Sequence, residues 1–195
     1  MVGTDVISYI VSVFDRIGML NACLACLDVQ QHIADITVCV NSTSPNVFER
    51  ALENPIGKYL ATGNAGAKGC YESANMVWTG TFGEWLCFPS DDSLYVADFS
   101  RIMLATANKT DADVVYCDCI YRVGTSGNNI WKDYTILESE PRMGKIDKTN
   151  FIVRRSLFKG FPEHPRDWRD GALIEKLKTE GATFAKAPGV LVVHQ

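Results

Sequence analysis

Short apolar runs and amphipathic segments alternate along the first 121 residues of the chain. The apolar runs are rich in β-branched and aromatic residues, which is typical of strands buried on both faces. They predict strands at residues 6–14, 36–40, 59–61, 84–88 and 112–121. Between them, apolar residues spaced three and four apart predict helices that open at Asp15, at Asn46 and near residues 68–79 and 97–108. This alternation predicts an α/β fold with a mostly parallel central sheet and helices on both faces.

The regular alternation stops near Arg122. Residues 123–150 are polar with isolated aromatic residues, which predicts a long loop. After the loop, the sequence predicts a strand at residues 151–158 and a turn rich in ionisable side chains at 161–170. A helix that carries Leu173, Ile174 and Leu177 and a last strand at 189–193 follow. We interpret the 195 residues as one domain with a less regular second half.

Composition and charge narrow the class of protein. Apolar residues make up 47% of the chain and charged residues 22%, a balance that can build a sizeable core. The net charge of −4 provides no basic surface for nucleic acid. The seven cysteines lie mostly inside apolar runs, as reduced thiols do, and no apolar run approaches the ~20 residues of a membrane span. The sequence therefore predicts a soluble, cytoplasmic protein, and peripheral contact with a membrane stays open.

Two adjacent carboxylates, Asp91 and Asp92, follow directly after the apolar run at residues 85–88. In an open α/β sheet, ligands bind at that end of a strand. The two carboxylates repel each other unless a cation lies between them, and a divalent metal is the usual cation. The alternative is a solvated turn in which Asp92 or Ser93 caps the next helix. A second pair, Asp111 and Asp113, precedes its strand and is interpreted as a turn that ends a helix.

Seven segments along the chain match, in order, one recurrent pattern. They are residues 10–16 (IVSVFDR, similar to IIPTYNR), Leu24 with Leu27 and Gln30, residues 38–43 (VCVNST, similar to VVDDGS), residues 64–66 with 74–75 (similar to NxG…RN), residues 83–92 (GEWLCFPSDD, similar to GEYIxFLDxDD), Arg154 with Arg155, and Asp170 with Leu173, Lys176 and Leu177. Together they resemble the family-2 glycosyltransferases of the GT-A (Rossmann-like) fold. The resemblance covers nearly the whole chain, with residues 1–121 as the nucleotide-sugar-binding half and 122–195 as the acceptor and catalytic half.

The chain departs from the family pattern at three places. Ser12 and Val13 stand where the family has Pro-Thr, and Asn41 replaces an aspartate near the nucleobase. Arg169 stands before Asp170 in place of the glutamate of the family's Glu-Asp pair. These differences leave the donor base and the handling of the acceptor undefined by the resemblance.

The resemblance implies a metal-dependent, inverting transfer of a sugar from a nucleotide-diphosphate donor, with a UDP-sugar favoured, to a hydroxyl of a carbohydrate or glycolipid. Mn²⁺ or Mg²⁺ is the implied cofactor. Asp92 is the implied metal ligand, and Asp91 lies beside the donor ribose or holds a metal-bound water. His194 is either a further metal ligand or a solvated terminal residue. A homodimer stays open.

The same resemblance implies the remaining site residues. Ser12 and Phe14 would flank the nucleobase, Asn41 would read its edge, and Lys68 would meet the diphosphate. Asp170 is the implied general base. Three alternatives stay open. Asp167 is the other candidate for the base, and Asp170 is either the base or only the N-cap of its helix. Asp15 either belongs to the pocket or caps the first helix.

Two other functions remain open from the sequence. A sugar nucleotidyltransferase shares a related sheet, but it needs a glycine-rich, basic loop after the first strand, and residues 12–16 (SVFDR) contain no glycine. A non-catalytic relative that binds a nucleotide sugar or a carbohydrate would keep the fold without turnover.

Overall fold

Strands and helices alternate through most of the chain in the computed structural model, which describes residues 5–42, 44–62, 69–122, 134–165 and 168–195. The strands in these ranges are β1 (Ile7–Val13), β2 (Ile33–Val40), β3 (Lys58–Ala61), β4 (Trp85–Cys87), β5 (Ser93–Tyr95), β6 (Val114–Arg122), β7 (Tyr134–Leu137), β8 (Phe151–Arg154) and β9 (Phe184–His194). The helices are α1 (Ile17–Asp28), α2 (Pro45–Leu52), α3 (Gly69–Val77), α4 (Phe99–Thr110) and α5 (Arg169–Thr179), with 3₁₀ turns at Trp78–Gly80 and Lys148–Asn150.

The strands form one sheet in the order β3-β2-β1-β4-β8-β6-β9-β5, and β7 pairs with β6 outside this path. Strands β1 to β4 are parallel to one another. Strand β8 is antiparallel to both β4 and β6, and β9 is parallel to β6. Six of the nine strands among the described residues therefore run in the same direction, so their carboxyl ends lie along one edge of the sheet.

The core lies on both faces of this sheet, as the alternation predicted. Strand β1 is buried along its whole length, and its successive side chains enter opposite layers because a strand has a period of two. Tyr9 and Val11 pack in the layer that holds the apolar faces of α1, α2 and α4. Ile10 packs in the layer that holds those of α3 and α5, including Leu173 and Leu177. This arrangement confirms an α/β domain with helices on both faces.

Several local predictions were wrong. Helix α1 begins after Arg16, not with Asp15 as its cap, and α2 begins at Pro45, with Ser44 at its N-cap in place of Asn46. Strand β9 starts at Phe184 because its pairing with β6 continues through an irregular register, at which Gly189 has a φ of +87°.

The predicted loop at residues 123–150 was also wrong in its described part, because four of its residues pair as strand β7 on the exposed end of β6. The capping role of Asp92 or Ser93 was wrong as well, since Ser93 begins strand β5. Asp111 does end helix α4, in a left-handed conformation with a φ of +51°. No helix in the described ranges combines the length and the apolar character needed to cross a membrane.

Gly83 lies where a side chain has no room. A Cβ atom built there would meet Ser8 N at 2.5 Å, Ser8 Oγ at 2.7 Å and Trp85 O at 2.9 Å, and the two backbone atoms cannot move without disturbing β1 and β4. We expect Gly83→Ala to lower the free energy of unfolding by about 1–3 kcal/mol, as overpacking does. Gly80→Ala is the matched control, because nothing lies within 4 Å of its Cβ position. Urea denaturation of both variants measures the difference, and equal stabilities would contradict the packing described here.

Candidate active site

A pocket of about 430 Å³ opens at the carboxyl edge of the sheet, where β1, β4 and β9 end. Its walls are formed by Ser12, Val13, Phe14, Asp15, Arg16, Asn41, Cys70, Ser90, Asp91, Asp92 and His194. The turn that carries the two aspartates is fixed by backbone pairing with the end of β1. Ser12 N donates to Pro89 O at 3.0 Å, and Asp91 N donates to Ser12 O at 2.9 Å. The parallel pairing of β1 and β4 thus extends into the turn and places both carboxylates at the pocket.

Arg16 offsets one of the two negative charges of the aspartate pair. Asp91 and Asp92 are only 1% and 4% exposed, so their negative charges are nearly removed from solvent. The Arg16 guanidinium bridges them, with 2.5 Å from Nη2 to Asp91 Oδ1 and 2.5 Å from Nη1 to Asp92 Oδ2. Burial raises the pKa of Asp91 above its ordinary value, while the Arg16 charge opposes that rise and the Asp92 charge adds to it. The pair is therefore a site that requires a cation, and the half-exposed Arg16 side chain supplies one.

His194 reaches the same carboxylates from the other end of the chain. Strands β5 and β9 pair antiparallel with Ser93 opposite His194, and Gln195 N donates to Asp92 O at 3.2 Å. This pairing puts His194 Nδ1 at 3.6 Å from Asp92 Oδ1 and 3.4 Å from Ser93 Oγ. The imidazole is stacked on Tyr121, with 5.6 Å between ring centroids. His194 therefore lies in the pocket wall.

The donor set at Asp92 fits a divalent cation. Asp92 Oδ1 is buried and accepts no hydrogen bond in the described part of the chain, although a buried carboxylate oxygen normally has a partner. Carboxylate oxygen and imidazole nitrogen are both ligands that Mn²⁺ accepts. No group of three His, Cys, Asp or Glu side chains among the described residues is already arranged around a metal position. A cation at Asp92 would therefore have to compete with the Arg16 guanidinium for the second oxygen.

The three residues expected around the nucleobase line this pocket. Ser12 is buried, and its Oγ lies 3.4 Å from Cys70 O, whereas the Phe14 ring is 41% exposed. Asn41 is buried, and its Oδ1 accepts hydrogen bonds from Thr62 Oγ1 at 2.6 Å and from Ser73 Oγ. Those bonds fix the orientation of the Asn41 amide. Lys68 lies outside the described residues, and its role stays a prediction.

Asp170 lies in the first turn of α5, beside a second pocket of about 230 Å³. That pocket is lined by Tyr121, Leu137, Gly144, Ile146, Trp168 and Asp170. Asp170 is not the N-cap of α5, since Trp168 holds that position. Burial raises the pKa of Asp170 to about 7, and the charge of Asp147 adds to the rise, whereas a hydrogen bond from the Gly171 N–H and the charge of Lys148 oppose it. Asp170 thus has the basicity that suits proton transfer near neutral pH. Asp167 lies outside the described residues.

Tyr121 joins the two pockets, because it lines the second one and stacks on His194 of the first. Sequence reasoning missed this role, although the position of Tyr121 at the end of a predicted strand was a usable signal. It also gave no separate role to Arg16, which lies in the turn that follows the first strand. The burial of Lys148 was not anticipated either, because nothing in its polar segment distinguishes it from a surface lysine.

No protein-family model matches the sequence, and no curated protein matches it significantly. Solved structures do match its fold. S. aureus TarS 1-349 superposes with a TM-score of 0.72 at 16% identity, over 97% of this chain and 60% of that chain. TarS 1-349 in complex with UDP-GlcNAc gives 0.71 at 16% identity, over 96% and 58%. Mannosyltransferase PcManGT from Pyrobaculum calidifontis, in complex with GDP-Man and Mn²⁺, gives 0.69 at 16% identity, over 96% and 56%.

The chain therefore spans about 60% or less of the length of each of these structures. The superpositions show a shared fold, and identities this low show nothing about the substrate. The chain therefore has the GT-A fold.

Proposed function

We propose that this chain is a glycosyltransferase domain that moves a sugar, with inversion, from a nucleotide-diphosphate donor to a hydroxyl of a carbohydrate or glycolipid. The observation that carries the proposal is the buried oxygen of Asp92, which has no hydrogen-bond partner in the described chain and faces His194 in a pocket at the carboxyl edge of the sheet. The solved complexes of similar fold support it, since they contain UDP-GlcNAc or GDP-Man.

The larger pocket is proposed as the donor site. Ser12, Phe14 and Asn41 would surround the nucleobase, with the exposed Phe14 ring able to stack on it. Asp91 would lie on the ribose side, and Lys68 is kept as a predicted contact to the diphosphate. We favour a UDP-sugar as the donor.

Asp92 and His194 are proposed to hold Mn²⁺ or Mg²⁺. Such an ion supplies Lewis-acid stabilisation of the negative charge that develops on the leaving diphosphate. The protein's own contribution is to keep two anionic side chains buried and rigid beside the donor pocket. The Mn²⁺ in the PcManGT complex supports a divalent cation for this fold.

Asp170 is proposed as the general base, and Asp167 remains the other candidate. In an inverting transfer the base removes the proton of the acceptor hydroxyl while that oxygen attacks the anomeric carbon. An aspartate with a pKa raised to about 7 is a stronger base than an ordinary one and is partly ionised near neutral pH. Trp168 and Tyr121 present aromatic surfaces beside Asp170 on which an acceptor sugar could stack.

Asp92→Ala should abolish the metal-dependent part of donor binding. In the unaltered protein, a nucleotide that is present with Mn²⁺ at about 100 times the nucleotide's Kd should raise the free energy of unfolding by about 2.7 kcal/mol. For a domain of this size that raises Tm by roughly 5–10 °C. A thermal-shift panel of UDP, GDP, dTDP and CDP, with and without Mn²⁺, measures this effect. Asp98→Ala is the control, because that exposed carboxylate pairs with Arg101 away from the pocket. The absence of metal-dependent stabilisation by every nucleotide would sink the proposal.

Arg16→Ala should tighten the binding of Mn²⁺ in the absence of nucleotide. The substitution removes the guanidinium that competes for both carboxylates, so we expect an increase in affinity of roughly tenfold, equivalent to about 1.4 kcal/mol. Isothermal titration with MnCl₂ measures it, and Arg101→Ala controls for the loss of one positive charge elsewhere. Unchanged or weaker Mn²⁺ binding would show that Arg16 does not compete with the cation.

Asp170→Asn should lower kcat by about 10²–10⁴-fold, the usual contribution of a general base. The asparagine side-chain oxygen can still accept the hydrogen bond from the Gly171 N–H, so the affinity for the donor should change little. Transfer assays and nucleotide titrations on the same preparation separate the two effects. Full activity in this variant moves the role to Asp167, whereas nucleotide binding without transfer in the unaltered protein favours a non-catalytic relative.

A further inference from the structure

A pocket of about 690 Å³ lies at the edge of the sheet opposite the candidate active site. It is bounded by Val6, which precedes β1, and by Gly83 and Glu84, which precede β4. Strand β8 runs antiparallel to β4, so it ends at this edge and is followed there by Arg155. The other lining residues are Trp78, Phe82, Ser156 and Lys159. Because the parallel strands begin here and the aspartate pair lies where they end, this pocket is separate from the candidate active site.

Two adjacent arginines at the end of β8 have different surroundings. Arg154 Nη1 lies 3.0 Å from Glu84 Oε1, and the carboxylates of Asp111 and Asp113 lie 3.5 Å from the same guanidinium. Arg155 forms no ion pair and no side-chain hydrogen bond within the described ranges, and its Nε is buried without a partner. A guanidinium N–H that is removed from water without an acceptor is costly. Arg155 therefore presents a positive charge that no protein group among the described residues satisfies.

The backbone fixes the position of Arg155 and of a second cation beside it. Arg155 N donates to Glu84 O at 2.7 Å, which extends the pairing of β8 with β4. A turn follows, in which Phe158 N donates to Arg155 O at 3.3 Å. The turn brings Lys159 to the same pocket, where its Nζ donates to Ser156 O at 2.9 Å. Two cationic side chains thus share one pocket.

The negative charges near the pocket are already paired or balanced. The Glu84 carboxylate lines the pocket, but the Arg154 guanidinium lies 3.0 Å from it and offsets its charge. At the rim, Lys58 Nζ lies 4.9 Å from the centroid of the Phe82 ring, and Asp35 accepts a hydrogen bond from Phe82 N at 3.1 Å. These two rim charges oppose each other. The two cations inside the pocket therefore favour an anionic ligand.

Trp78 supplies an apolar wall beside the two cations. Its ring packs edge-on against Phe158, with 5.5 Å between centroids and 88° between planes, which holds the indole in place. Trp78 is only partly buried, and Phe82 is 69% exposed at the pocket mouth. An aromatic surface packs against the apolar part of a ligand, and a volume of this size suits a small molecule.

We propose that this pocket binds an organic phosphate, whose phosphate group pairs with Arg155 and Lys159 and whose remaining part packs against Trp78. A planar guanidinium matches two phosphate oxygens at once, and a phosphate monoester carries nearly two negative charges at neutral pH. The site does not depend on the function proposed above. A sugar phosphate and the headgroup of phosphatidic acid present the same phosphate chemistry, and separate measurements distinguish them.

Titration of the ¹⁵N-labelled protein with glucose 1-phosphate tests the site. The indole N–H resonance of Trp78, assigned by its loss in Trp78→Phe, should shift, whereas that of Trp168 beside Asp170 should not. Glucose, which lacks the phosphate, should shift neither. Arg155→Gln should weaken binding by about tenfold or more, because it removes charge-assisted hydrogen bonds. Lys178→Gln, an exposed charge loss on α5, is the matched control and should bind as the unaltered protein does.

Lys159→Glu tests the site without changing the partly buried Arg155. Lys159 is exposed, so reversal of its charge should leave Tm without ligand unchanged and weaken binding of glucose 1-phosphate by a factor similar to that of Arg155→Gln. The lipid source is measured by co-sedimentation with phosphatidylcholine vesicles, with and without phosphatidic acid.

The two sources of phosphate give different results. Binding to phosphatidic acid vesicles that is lost in Arg155→Gln assigns the pocket to a lipid headgroup, and binding of glucose 1-phosphate alone assigns it to a soluble phosphate. The proposal is overturned if neither probe binds, if both variants keep full affinity, or if only the Trp168 resonance shifts.

Discussion

Two adjacent carboxylates buried at the carboxyl edge of the sheet repel each other, and the surrounding structure is arranged to offset that repulsion. Asp91 and Asp92 are held there by backbone hydrogen bonds to the end of β1, so they cannot move apart or turn to solvent. Arg16 satisfies one oxygen of Asp92 and bridges to Asp91, while the other Asp92 oxygen faces His194. A rigid anionic pair with one position left for a cation is the feature on which donor binding would depend.

Residues from the second half of the chain complete the carboxyl edge of the sheet. Strand β9 runs parallel to β6 and pairs with β5, which brings residues 100 positions apart into one pocket wall. Helix α5 packs on the opposite layer from α1 and places Asp170 in the neighbouring pocket. Tyr121 links the two, because it lines the second pocket and stacks on His194 of the first.

Both pockets contain buried carboxylates, and the groups that surround these carboxylates differ between the two pockets. The aspartate pair is partly compensated by Arg16, whose side chain is half exposed. At Asp170, burial and the charge of Asp147 together raise the pKa to about 7. The first pocket thus sets two carboxylates against a cation, whereas the second holds one carboxylate with a raised pKa.

The sequence by itself determined the α/β class, the buried strands β1, β2 and β4, and the position of Asp91 and Asp92 at the end of a strand. It could do so because the spacing of apolar residues and the length of an apolar run are local properties of the chain. It also placed Asp170 in the first turn of a helix through the spacing of Leu173 and Leu177. Only the tertiary structure decided that Ser93 starts a strand opposite His194, that Arg16 bridges the aspartates and that the Lys148 side chain is buried against Phe88 O. These depend on pairing and burial between segments far apart in the chain, and the sheet order that sets them is not encoded in any local pattern.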